Sequence, residues 1–139
     1  ENSNNKIIFS RHLNPKLQSI ADQTLNNHPN IQLIDPQSYP DFIWLMKQSD
    51  LIITDSGGIQ EEAPYLNVPV IVTRKHTERT ESLIESNNLI DLTKQSLTEK
   101  ATEIFQTTEK QQQNKENFFP YGKGDSAKQI NKILETLNI

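Results

Sequence analysis

Apolar residues fall in short runs, separated by longer stretches in which apolar positions recur three and four apart. That alternation predicts strand and helix in turn. The runs are residues 7–9, 31–34, 51–53, 70–72 and 89–90. Leu17, Ile20, Ala21 and Leu25 follow Pro15 at helix spacing, and Phe42, Leu45 and Met46 mark a second helix. A third helix is expected to run through Leu66, and a fourth, after Thr77, through Leu83 and Ile84. Beyond the last run, Leu97, Ala101, Ile104 and Phe105 make one stripe, and the polar tract at 111–114 reads as a helix end or exposed loop. A turn-rich stretch at 120–126 precedes a terminal helix, placed within 124–139, that carries Ala127, Ile130, Ile133, Leu134 and Leu137. Short strands alternating with helices point to parallel strands joined by right-handed crossovers. The expected fold is therefore α/β, a doubly wound, Rossmann-like parallel sheet, with no linker dividing residues 1–139.

Composition narrows the partners. The chain is mildly acidic, with 14 Lys+Arg against 18 Asp+Glu for a net charge of -4, and its mean hydropathy is -0.69. It has no long basic run of the kind that duplex DNA or an anionic membrane surface attracts, so neither nucleic acid nor membrane is an expected partner. No stretch approaches the roughly 18 to 20 apolar residues that span a bilayer. The absence of cysteine excludes a disulfide frame, a thiolate metal site and a cysteine nucleophile, and is compatible with a reducing cytosol. The only methionine is Met46, so Glu1 is not an initiator and the chain reads as a fragment of a longer one.

The densest chemistry lies in residues 51–64, LIITDSGGIQEEAP, an apolar strand running into a Gly-rich turn and a helix. At such a turn backbone N–H groups and the helix dipole converge, and Gly57 and Gly58 carry no Cβ to obstruct an anion. Ser56 adds a hydroxyl donor, which suits a phosphate. A purely structural alternative stands level with it: Asp55 or Ser56 caps the helix and the glycines make a tight turn. The spacing is neither that of a Walker loop nor GxGxxG. Of the adjacent Glu61 and Glu62, at most one can face a ligand at the strand tips, where a sugar hydroxyl is a better target than a phosphate. Favourable charge in a first helical turn is the stronger local account of them.

Arg79, in the TERTE stretch that begins at Thr77, follows the strand at 70–72. Its planar fork suits a diphosphate, although a capping box with Arg79 in solvent is locally the better account. His12 follows the first strand, in SRHLNP; a lone His is more often a structural hydrogen-bonder than an acid or base. No second His or carboxylate stands at metal-ligand spacing, so no metal is assigned, and no cofactor. Phe42 and Trp44 are candidates for base stacking, but aromatics at helix spacing are more often core. Four polar clusters are thus expected at one edge of one sheet, where doubly wound folds bind ligands.

The stretch DSGGIQEEAPYLNVPVIVTRKHTERTE, with RHLNP and DPQSYPDFIWLM before it and PYGKGDSA after, closely resembles the carboxyl-terminal half of the non-hydrolysing UDP-N-acetylglucosamine 2-epimerases. The resemblance covers essentially the whole chain. It implies the second, UDP-holding domain of a GT-B-like two-domain enzyme that interconverts UDP-GlcNAc and UDP-ManNAc through elimination and re-addition of UDP. By resemblance Ser56, Gly57, Gly58 and Arg79 contact the diphosphate and Glu62 the ribose hydroxyls. The backbone at Gln37 reads the uracil edge, Phe42 stacks on the ring, and His12 lies near an interdomain cleft with a regulatory role in some members.

The resemblance also implies a cytoplasmic homodimer serving cell-envelope polysaccharide synthesis, with the catalytic carboxylates and the family's His-Arg-Arg-Glu element in an amino-terminal domain that precedes Glu1. The isolated chain is then expected not to epimerise. Alternatives that share the nucleotide half are a GT-B glycosyltransferase, a hydrolysing epimerase and a non-catalytic nucleotide-sugar-binding module. The chain departs from the family pattern at Ser10-Arg11 (usually Pro-Val), Asn67 (usually Gly), Thr80 (usually Pro) and Lys123, within the familiar NPYGDG.

Overall fold

The computed structural model describes residues 5–79, 89–111 and 119–137, with side chains described through 107 in the second of these segments. They form two compact units, residues 1–45 and 46–139.

In the first unit, β1 (Ile7–Ser10) and β2 (Ile31–Ile34) pair in parallel, with Ile7 opposite Ile31 and Ser10 opposite Ile34. The intervening α1 (Pro15–Leu25) starts where Asn14, in extended conformation, accepts a bond from the Lys16 N–H through its side chain, with Pro15 in the first turn. Ala21 is its buried residue, while Leu17 and Ile20 are exposed. Helix α2 (Tyr39–Lys47) has Asp41 in its first turn and Lys47 in its last, both favourable to the helix dipole, and the unit boundary falls within it, after Leu45. Trp44 does not take the core place its spacing suggests: it is 61% exposed.

In the second unit, β3 (Ile52–Thr54) pairs in parallel with β4 (Val70–Val72), and Leu89 bridges to Val72. The core here is dry: Ile71, Val72, Ala63, Val68, Met46 and Ile52 are buried together with Thr54 and Gln60. Helix α3 (Gly57–Glu62) is short and passes into a 3-10 turn (Ala63–Leu66) that ends on Asn67, at φ 56° and ψ 30°. That left-handed position explains both the Gly usual there and its replacement by Asn, the residue that best tolerates the conformation after Gly.

Helix α4 (Lys94–Gln111) begins where Thr93 accepts a bond from the Ser96 N–H, and Leu97, Ala101, Ile104 and Phe105 are half-buried along it. The loop that follows the 112–118 segment packs Phe119 against Tyr65, with ring centroids 5.3 Å apart, and Tyr65 donates to the Gly122 carbonyl. The terminal helix α5 (Ser126–Thr136) is shorter than the expected 124–139, and none of its residues is buried.

Three expectations change. The third strand lies one residue later than residues 51–53. The expected single sheet is instead two separate two-stranded ladders among the described residues, with the fifth run reduced to the Leu89 bridge. Of the four polar clusters, that of His12 lies in the first unit and the other three in the second. The helix expected through Leu83 and Ile84 falls outside the described residues, as do residues 112–114 of the polar tract.

Candidate functional site

The second unit brings the DSGG turn and the Arg79 loop together. Strand β3 ends on buried Thr54, whose hydroxyl accepts the Ser56 N–H at 3.0 Å. Ser56 then stands at the N-cap of α3, extended at φ -78° and ψ 131°, but makes no side-chain cap bond. The purely structural reading of this turn is thus half met: Ser56 has the position and backbone of a cap without its hydrogen bond. The first N–H groups of any helix lack partners within it, and here they belong to Gly57, Gly58 and Ile59.

Arg79 lies over this turn. A Cβ on Gly57 would stand 3.3 Å from Arg79 Cζ and 3.4 Å from Nε, so the absent side chain of Gly57 makes room for the guanidinium. The corresponding position on Gly58 is open, its nearest neighbour being Ser56 Oγ at 3.9 Å. Gly58, rather than Gly57, is therefore the place where small size leaves an approach to the turn. Arg79 Nε donates to Glu61 Oε1 at 2.7 Å, and Nη1 donates to Glu78. Glu61 thus holds the arginine through its Nε.

Residues that did not stand out in the sequence complete the constellation. Arg74 Nε donates to the Asp55 carbonyl and Nη1 to Glu78 Oε2 at 3.2 Å, which ties the loop after β4 to the turn after β3. Gln60, buried at 1% exposure, donates to the Ser56 carbonyl and accepts from Thr77. The hydroxyl of Tyr121 is buried with no partner among the described residues. Arg74 had no helix period or motif to mark it, and a Gln in a helix ordinarily reads as a surface residue. A fixed cation results, since the Glu61 bond, followed by the charges of Glu78 and Glu61, raises Arg79 above its ordinary range. A backbone hydrogen bond and the charges of Arg79 and Arg74 hold Glu78 below the usual carboxylate range, against the opposing effect of burial.

The other candidates belong to the first unit. His12 follows β1 as expected, and its Nδ1 accepts the Asn14 N–H at 2.9 Å, which places the proton of the neutral ring on Nε2. The Gln37 side chain donates to the Asp35 carbonyl at 2.6 Å. Phe42 is half-buried in the first turns of α2, its N–H bonded to the Ser38 carbonyl. Among the described residues no group of three or more His, Cys, Asp or Glu is placed to hold a metal ion, and no helix is long and apolar enough to cross a membrane.

Comparison with known proteins decides the family. The sequence profile described as UDP-N-acetylglucosamine 2-epimerase matches residues 1–135. The chain belongs to the UDP-N-acetylglucosamine 2-epimerase family.

Within this family, the UDP-N-acetylglucosamine 2-epimerase of Escherichia coli K12 is 38% identical over 135 residues, which cover 96% of this chain and 36% of that protein. The crystal structure of the Neisseria meningitidis UDP-GlcNAc 2-epimerase bound to UDP-GlcNAc matches with a TM-score of 0.81 at 36% identity, covering 94% of this chain and 36% of the other. A Staphylococcus aureus MnaA–UDP co-structure matches with a TM-score of 0.78 at 39% identity, covering 96% and 36%. The chain thus spans about a third of the length of these epimerases, and the fold is that of the corresponding GT-B-like α/β part.

Two departures from the epimerase pattern also have structural places. Arg11 pairs with Asp22 at 3.1 Å and with Asp35, bracing the first unit where Pro-Val is usual. Lys123 stands over the Phe119 ring at 5.8 Å from its centroid. Thr80 lies outside the described residues.

Proposed function

We propose that this chain is the UDP-binding part of an enzyme that interconverts UDP-GlcNAc and UDP-ManNAc by inverting C2 of the sugar. The observation that carries the reading is the meeting of Ser56, Gly57 and Arg79 at one turn, in a chain whose structural relatives include epimerases with UDP-GlcNAc or UDP bound. Ser56, the N–H groups at Gly57 and Gly58, and Arg79 take the diphosphate. Glu62 takes the ribose hydroxyls, the backbone at Gln37 the uracil edge, and Phe42 the face of the ring. His12 is assigned to the cleft or to a regulatory role.

In the proposed reaction a base removes the C2 proton and the C1–O bond breaks, with its electron pair leaving on UDP, to give a 2-acetamidoglucal. UDP then adds back at C1 as a proton is delivered to the opposite face of C2. The C2 proton is weakly acidic, so the acid and base groups must act in a closed, dry cleft. We assign those groups to an amino-terminal domain of the same protein. This chain contributes donors aimed at the diphosphate, where negative charge develops as UDP departs. Net charge is -4, so a few placed donors, not a basic field, do this work. We further assign the full-length protein to a cytoplasmic homodimer serving cell-envelope polysaccharide synthesis.

Calorimetric titration of the 139-residue chain with UDP tests the binding role, and incubation with UDP-GlcNAc tests the division of labour. Binding without formation of UDP-ManNAc is expected. Absence of UDP binding contradicts the first assignment, and UDP-ManNAc formed by this chain alone contradicts the second.

A further inference from the structure

Gln60 is a costly choice for a core position. An amide buried to 1% exposure forfeits its hydration, and its desolvation is offset only where both ends find partners. Both do. Nε2 donates to the Ser56 carbonyl at 3.1 Å, and Oε1 accepts the Thr77 hydroxyl at 2.7 Å. Having spent its single proton on Gln60, the Thr77 hydroxyl accepts the backbone N–H of Arg79 at 3.1 Å. The order of donors and acceptors is self-consistent in one sense only. Flipping the amide would set its oxygen against the Ser56 carbonyl with no proton between them.

A partly buried relay of three hydrogen bonds, centred on buried Gln60, therefore runs from the backbone of the DSGG turn to the backbone of the arginine that covers Gly57. A leucine or methionine at position 60 would fill similar volume at less desolvation cost, but would remove this link between the two loops, leaving those of Arg74 and Arg79. We propose that Gln60 and Thr77 are positioning residues for diphosphate recognition, fixing Ser56 and Arg79 in mutual register. This rests on the reading of the turn as the diphosphate site. Neither residue need touch the ligand, and the nucleoside contacts assigned to Gln37, Phe42 and Glu62 do not depend on the relay.

The test compares UDP with uridine, titrated calorimetrically into the chain and its variants. Thr77→Val removes both hydroxyl bonds at nearly constant shape and leaves Oε1 of buried Gln60 without the Thr77 hydroxyl; Gln60→Leu removes the amide. Each is expected to weaken UDP binding by about tenfold, the worth of a net hydrogen bond, without changing uridine binding. Thr77→Ser, which keeps the hydroxyl, should recover what Thr77→Val loses. On an Arg79→Ala background Thr77→Val should cost little more, because residues acting through one another are not additive.

Wild-type affinity for UDP in Thr77→Val overturns the proposal. So does an equal loss for UDP and uridine, which marks general structural damage. A parent chain that binds UDP no better than uridine overturns the diphosphate reading itself, and is told apart from failure of the relay because it appears before any variant is made. Should Gln60→Leu loosen the core, Thr77→Val and Thr77→Ser decide the matter.

Discussion

The strand pairs β1/β2 and β3/β4 arise from runs of the same kind, IIFS and IQLI in one, IIT and VIV in the other, and both pair in parallel. Their burial differs sharply. All four residues of β1 are exposed, Ile8 to 53%, whereas Ile71 at the centre of β4 is 0% exposed and Val72 beside it is buried. Among the described residues the second pair therefore has its strand ends in a buried core, and the built turn lies at those ends. Thr54, buried as the last residue of β3, bonds Ser56, and the loop after β4 returns through Arg74 to Asp55. These bonds tie the Gly-rich turn and the loop that carries Arg79 to the buried strand ends. His12 Nδ1 and the Gln37 amide each bond a backbone group two residues away along the chain.

The largest test of this contrast is a matched pair of core truncations. Ile71→Ala should destabilise the chain by about 2–5 kcal/mol, as full burial implies. Ile8→Ala, already half in solvent, should change stability by about 0.5 kcal/mol or less. Urea unfolding of both variants checks this, and equal losses would erase the distinction between the strand pairs. Next in size is Arg79→Ala, which should weaken UDP binding by about 1.5–3 kcal/mol, the range for a hydrogen bond to a charged group. Isothermal titration measures it, and unchanged affinity removes Arg79 from the site.

Smaller, but more specific, is the pair of glycines. Gly57→Ala crowds the Arg79 guanidinium at 3.3 Å, whereas Gly58→Ala meets only Ser56 Oγ at 3.9 Å. Displacement of the arginine should cost about 1 kcal/mol of UDP affinity, while thermal stability holds or rises slightly because alanine loses less backbone entropy on folding. The displaced arginine should be seen in the Nε–H resonance of Arg79 in Gly57→Ala and not in Gly58→Ala. The smallest effect concerns pH. The pKa of Glu78 is lowered in the folded chain, so its contribution is present above the unfolded value and lost only as pH falls through the lower, folded one. Carbon NMR of the Glu78 carboxylate should show it still ionised below the usual carboxylate range, and protonation within that range would contradict the pairing.

Much of the fold was legible because it rests on local pattern. The helices announced by Pro15, by the Phe42 to Met46 spacing and by the Leu97 to Phe105 stripe stand where their periods place them. Lateral connection of strands was not legible, since an apolar run states that it is buried or paired but not with which neighbour. Trp44 shows the same limit: helix spacing gave it a face, and that face is exposed.

At the site, Ser56, Gly57 and Arg79 stood out in the sequence as candidates, each with a structural alternative, and the structure brings Arg79 over Gly57. Their support did not stand out, because Gln60, Glu61, Thr77 and Arg74 act across sequence separations of 17 to 19 residues and resemble ordinary surface polar residues. The roles of the two glycines illustrate the point. Both were read as space for an anion, and the structure divides them, one beneath an arginine and one open.

The central claim is that the turn of the second unit, and not the nucleoside alone, recognises UDP. The backbone amide resonances of Gly57, Gly58 and Arg79 in a nitrogen–proton NMR spectrum of the chain report on it directly, with UDP and uridine added in turn at matched saturation. All three should move with UDP and stay in place with uridine. Amides that stay in place with UDP, or that move equally with uridine, would contradict the account.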